Sequence, residues 1–185
     1  MKIKSQMIYI FLLILFTGFM VTPAMGYDRS EDAIALWVAD QIELTQSFDM
    51  PTIHYVDKDT LGSVFREGTQ KSYSSWQQEY GEDEAKKILE GYIEEIVGLF
   101  NDKSQIIYVA DFIDSCSQEA VFAHEMVHYF QHLMEGVIPV DSYYEDEKRF
   151  LREMRAYNIE NKYHVAFCDA DKGATPDPED NAMES

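Results

Sequence analysis

A chain of 185 residues with 46% hydrophobic residues is long enough for one domain with a substantial core and short for two. Its 34 acidic against 15 basic side chains give a formal charge of −19, a field that repels phosphate and argues against nucleic acid or anionic lipid as partners. That balance suits solubility and neutral or basic substrates.

The chain opens with the basic "MKIKSQ", continues with the apolar "MIYIFLLILFTGFMV" and reaches small residues in "TPAMG". This order predicts a secretory signal peptide over residues 1–26, cut after Gly26 or Ala24. The competing reading is an uncleaved anchor, but the apolar core falls short of the roughly 20 residues a span needs and Pro23 follows it. Export to the periplasm or medium follows, with no stable membrane association after cleavage. Without residues 1–26 the chain loses two lysines and no acid, leaving 13 basic against 34 acidic side chains and a formal charge of −21.

A helix is expected from Glu31 to Ser47, with Ser30 as its cap, because apolar side chains recur through Ile34, Trp37, Val38, Ile42 and Leu44. The β-rich "TIHYV" predicts a strand from Thr52 to Val56. Residues 57–81 contain Gly62 and Gly68, show no clean period, and read as a loop with a possible short helix, with Trp76 expected as a core anchor and not a platform for a ligand. "EDEAKKILEGYIEEI" regains the helical period, with acids at its start to suit the dipole. "VGLFNDKSQIIYVADF" reads as a hairpin pairing Val97–Phe100 with Gln105–Val109. Ser115 and Gln118 form a capping-box pattern ahead of a long helix from Ser117 to Glu135, with Gly136 and Pro139 to end it. A last helix from Glu145 to Tyr163 precedes an acidic, proline-containing tail over residues 169–185, read as disordered. The domain proper is then residues 27–168, an α+β fold with a small mixed or antiparallel sheet. Cys116 and Cys168 make an even pair in an exported chain, and so a disulfide candidate, with two buried thiols as the alternative.

The long helix carries "FAHEMVHYFQHLMEG". Side chains four apart on a helix are offset by about 40° and 6 Å, so His124 and His128 can present imidazoles to one point. Glu125 lies beside that point, where it can take a proton from a metal-bound water. This HExxH spacing is the arrangement of a zinc site with its own base. His132, about 12 Å and 80° from His124, cannot share the same ion and is assigned no ligand role. The pattern with a third histidine six residues after the second fails, because Gln131 and Met134 stand at its decisive positions. Glu153, in the mostly apolar surround of Phe150, Leu151, Met154 and Tyr157, is the best third ligand, since a buried carboxylate needs a partner and a metal is one. An ion pair with Arg149 or Arg152 is the competing role for it. Tyr157, one turn further, can hydrogen-bond a ligand histidine, stabilise an oxyanion or simply pack. His54 and His164 receive no role.

"HEMVH" followed by "EMRAY" on a second helix resembles the gluzincin metallopeptidases, and the small size resembles their single-domain bacterial members. The resemblance runs from Val97 to Tyr163. It implies a zincin-like fold, one Zn2+, and hydrolysis of a peptide or protein substrate by zinc-activated water with Glu125 as general base. It also implies strand-wise binding of the substrate along Gln105, Ile106, Ile107, Tyr108 and Val109. A second class of function is an exported binding protein in which the zinc is structural and its fourth position closed.

Overall fold

A computed structural model describes residues 29–135 and 145–169. In chain order the elements are α1 (Glu31–Gln41), β1 (Thr52–Val56), α2 (Lys58–Gly68), α3 (Gln70–Tyr80), α4 (Glu82–Glu95), β2 (Gly98–Asn101), β3 (Ile106–Ala110), α5 (Ser115–Glu135) and α6 (Glu145–Tyr163), closed by a π-helical turn at His164–Cys168. The stretch expected to be a signal peptide, most of the acidic tail, Gly136 and Pro139 lie outside the described residues. Among the described residues no helix is long and apolar enough to cross a membrane.

The architecture is mixed α+β. Three strands form one sheet in the order β1-β3-β2, with β1 parallel and β2 antiparallel to β3. The hairpin is present in the predicted place, shifted by one residue at its ends. Helix α5 is apolar on nearly every side, as "AVFAHEMVHYF" requires, and it runs through the centre of the molecule. It packs against α6, α1, β2 and β3. Phe122, Met126, Val127 and Phe130 meet Ile107 and Val109 of the sheet and Ile34 and Val38 of α1 in one core. Trp37 closes that core edge-on to Tyr163, with ring centroids 5.4 Å apart.

Three expectations are corrected. Residues 57–81 are not a loop but the helices α2 and α3. Asp57 caps the first by accepting from the Thr60 amide at 2.8 Å, and Gly62 serves contact, since a Cβ there would stand 3.0 Å from Ile93 Cγ2. Helix α3 buries no residue, so no apolar stripe betrays it in the sequence; it lies on α4. Helix α1 stops at Gln41 and not Ser47, because Glu43 turns into the left-handed region at φ 58°. Helix α5 starts at Ser115, and its cap is Asp114, which accepts from the Ser117 amide at 3.0 Å and from the Ser117 hydroxyl at 2.6 Å. Gln118 does not complete a capping box; its amide donates back to the Asp111 and Ile113 carbonyls.

Cys116 and Cys168 are disulfide-bonded, with Cα atoms 5.8 Å apart and a sequence separation of 52. The bond ties the start of α5 to the turn after α6, the two helices that carry the site described next. Closing a loop of this length restricts the unfolded chain by about 4 kcal/mol. The Cys116→Ser, Cys168→Ser double variant is expected to lose about that much stability in urea unfolding, and an unchanged midpoint would contradict it.

Candidate metal centre

Helices α5 and α6 lie side by side, and three of their side chains converge. His124 Nε2 and His128 Nε2 are 3.1 Å apart, and Glu153 Oε2 stands 3.6 Å from the first and 3.4 Å from the second. Among the described residues these three form the only such group of His, Cys, Asp or Glu ligand atoms. A tetrahedral ion with ligands at 2.0–2.1 Å spaces them about 3.3 Å apart, so the triangle has the size that a small divalent cation requires. Glu153 comes from α6 because the helix, re-entering at Glu145, brings its third turn level with His128.

The far sides of both rings assign their protons. His124 Nδ1 lies 2.9 Å from Glu160 Oε2, and a carboxylate only accepts, so this nitrogen donates. His128 Nδ1 lies 3.0 Å from Gln131 Oε1, an oxygen that also accepts from Arg152 Nε at 3.0 Å. Gln131 Nε2 meanwhile donates to the Arg152 carbonyl at 3.2 Å, which fixes the orientation of the amide. His128 Nδ1 therefore donates too. Both Nε2 atoms are left to offer lone pairs toward one point beside a carboxylate oxygen. That donor set wants a cation, and it is the reason the residues fit a metal.

In the metal-free group a proton takes that place. Burial works against charge on His124, but the neighbouring carboxylates of Glu153, Glu160 and Glu125 outweigh it, and its pKa is pushed up to about 10. Burial likewise works against charge on Glu153, and the two imidazoles more than reverse this, holding its carboxyl well below the usual range.

Glu125 stands apart from the ligands. It is buried, and burial pushes its carboxyl pKa up against the opposing pull of His128 and His124. The Phe100 main-chain amide favours its charged form. What brings β2 so close is Gly98: a Cβ there would lie 2.5 Å from Val121 Cγ1 and 2.7 Å from Glu125 Oε1. Gly98→Ala is expected to force the strand off α5, costing about 1–3 kcal/mol of stability and displacing the Glu125 carboxylate. Urea unfolding checks the first effect, and an alanine variant as stable as the parent would refute it.

Tyr157 lines the same cleft, its ring edge-on to His124 with centroids 4.7 Å apart, and it is 54% exposed. The outer partner of His124 is Glu160, not Tyr157. Nothing in the sequence marked Glu160 except its place two turns after Glu153 on the same face, and Gln131 only its place three residues after His128. Glu160→Gln keeps an acceptor for His124 Nδ1 but removes the charge behind it. Metal affinity is expected to fall by roughly 10–100-fold, measured by competition with a chromophoric chelator. His132 sits beyond the group, edge-on to Phe100 at 5.7 Å, and takes no part in it.

The expected substrate strand needs correction. Residues Ile106–Ala110 form the centre of the sheet, with β1 on one side and β2 on the other, and Ile107 and Val109 are fully buried. Such a strand has no edge to offer along Gln105–Val109. The free edge beside the metal group belongs to β2. Ala110 N–H donates to the Val97 carbonyl at 2.8 Å, which sets the phase of the ladder: Gly98 and Phe100 turn their amide groups away from β3. Val97, Gly98, Leu99 and Phe100 line a cleft of about 750 Å³ together with His124, Glu125, His128 and Glu153. Compared with described families, with curated proteins and with solved structures, the chain matches none.

Proposed function

We propose that this protein is an exported zinc-dependent metallopeptidase of gluzincin type. The observation that carries the reading is the division of labour on one turn of α5: His124 and His128 converge with Glu153, while the buried Glu125 stays outside the ligand group with a raised pKa. Two histidines and a carboxylate with a fourth position left over is a catalytic donor set for zinc, and structural zinc sites are usually filled by four protein ligands. Among the described residues no fourth ligand joins the three. This, with the open cleft, favours the enzyme over a closed, zinc-stabilised binding protein.

When bound, the metal supplies Lewis acidity, lowering the pKa of a water and polarising the scissile carbonyl. The protein does the rest. The edge of β2 receives an extended peptide by main-chain hydrogen bonds through Gly98 and the Phe100 carbonyl, the Phe100 N–H being engaged by Glu125, and this holds the peptide's carbonyl over the metal group. Glu125 accepts the proton of the attacking water and returns it to the leaving amine as the C–N bond breaks; burial, by raising its pKa, strengthens it as a base. Glu160 and Gln131 hold the two imidazoles in the tautomer that leaves Nε2 free. Tyr157, with its hydroxyl pKa raised by burial and by the carboxylates of Glu153, Glu160, Glu125 and Glu95, stays a neutral donor at the cleft, placed to steady a developing oxyanion.

The direct test is metal analysis of the purified mature chain together with hydrolysis of a quenched-fluorescent peptide library. One zinc per chain and chelator-sensitive cleavage are expected. A chain that takes up no zinc ends the reading.

A further inference from the structure

The cleft has a second wall that the chemistry above does not use. Phe65 of α2, Trp76 of α3 and Tyr92 of α4 line the same cavity as His124, His128 and Glu153. The Trp76 and Tyr92 rings are stacked, with centroids 5.8 Å apart and an interplanar angle of 19°, and Phe65 meets Tyr92 at 6.1 Å. These rings are not the inside of a small core. Helix α3 buries no residue at all, and Tyr92 is left 53% exposed. Three aromatic side chains thus form a shelf that ends in open cleft.

The sheet supplies the second observation. Gly98 and Phe100 put their side-chain positions against α5, where Gly98 meets Val121 and Glu125 and the Phe100 ring meets Tyr129. Leu99 falls on the opposite pleat, toward the layer formed by α2 and α4, and lines the cavity with the shelf. A chain laid along the free edge of β2 must alternate in the same way. One set of its side chains points toward α5 and the metal group, and the next points toward the aromatic shelf.

We infer that Phe65, Trp76 and Tyr92 form a specificity subsite for an aromatic or large aliphatic side chain of the bound peptide. The inference rests on the peptidase reading for its occupant, a peptide lying along β2, and adds the class of residue that the cleft selects. Apolar contact and ring stacking are what this wall offers, and an anionic or very small side chain would leave the shelf unmatched.

The test uses the zinc-loaded Glu125→Gln, Trp37→Phe chain, which binds without cutting and leaves Trp76 as the sole tryptophan; Trp37 lies in the core against Tyr163 and Phe167. Two fluorescently labelled peptides that differ by one Phe-to-Ala exchange are titrated by anisotropy, and Trp76 emission is followed with their unlabelled forms. The Phe peptide is expected to bind about tenfold more tightly and to shift Trp76 emission, where the Ala peptide does neither. Tyr92→Ala should erase the preference. Because that change can loosen α3, Ser72→Glu is the second variant: it puts a charge on the shelf from a helix that buries nothing, and it should erase the preference as well. Equal affinity for the two peptides, or a preference that survives Ser72→Glu, overturns the subsite. If the parent zinc-loaded chain cuts neither peptide while the binding preference holds, the peptidase reading falls and the subsite stands.

Discussion

Glu125→Ala is expected to keep its zinc and to lower kcat/KM for peptide hydrolysis by about 10²–10⁴, the span that a general base contributes. The two halves of that result come from separate features. Zinc retention follows because the ligand triangle of His124, His128 and Glu153 does not include the Glu125 carboxylate. Loss of turnover follows because Glu125 is the buried carboxylate that lies beside both imidazoles without belonging to the triangle. Glu153 belongs to the triangle, and Glu160 is spent on His124 at 2.9 Å. Metal analysis and single-turnover hydrolysis on one preparation check both halves. Glu125→Gln should behave like the alanine variant, since it keeps the shape and loses the base. Turnover within a fewfold of the parent would remove Glu125 from the chemistry, and loss of zinc would make it a ligand or a structural prop.

The part of this site that could be read from the sequence is the part whose spacing is local. His124, Glu125 and His128 lie within two turns of one helix, and helical geometry alone sets their relation. Glu153 is reached by a weaker route, through chain length alone: the apolar surround expected for it is absent, since Phe150, Leu151, Met154 and Tyr157 are exposed and the Glu153 side chain is itself 44% exposed. Gly98, Glu160 and Gln131 are not reached. Gly98 matters because β2 descends onto Val121 and Glu125, a contact between elements that no sequence period records. Glu160 has the same chemistry as the exposed acids around it until α6 is docked. The same reasoning explains the sheet: a hairpin is a local event and is found where the turn residues lie, whereas β1 joining β3 in parallel is a long-range event. Only that pairing moves β3 from the edge to the centre and leaves β2 as an edge strand among the described residues. Helix α3 was missed because its exposed faces bury nothing, and the apolar stripe is the usual sign of a helix.

Glu153→Ala is expected to weaken zinc binding by more than the roughly 10–100-fold that loss of an outer partner costs, because it removes a ligand and the negative charge facing both imidazoles. A desalted preparation should then hold far less than one zinc per chain, and full zinc content would mean that another side chain is the third ligand. The pH dependence gives an independent handle on the same residue. In the metal-free chain the pKa of His124 is raised from 6.5 to about 10, so its contribution to stability is complete below pH 6.5 and is lost as pH climbs toward 10. Glu153 runs the other way: its pKa is depressed from 4.5, so its contribution is present above pH 4.5 and is lost as pH falls below it. The metal-free parent is therefore best supported by this group between about pH 4.5 and 6.5. Zinc must displace the His124 proton, so its affinity should rise with pH across the neutral range, with close to one proton released per ion bound. Glu153→Ala removes one of the carboxylates that raise the His124 pKa. It should reduce that proton release at pH 8 and flatten the alkaline loss of stability, both measurable by calorimetry in buffers of different ionisation enthalpy.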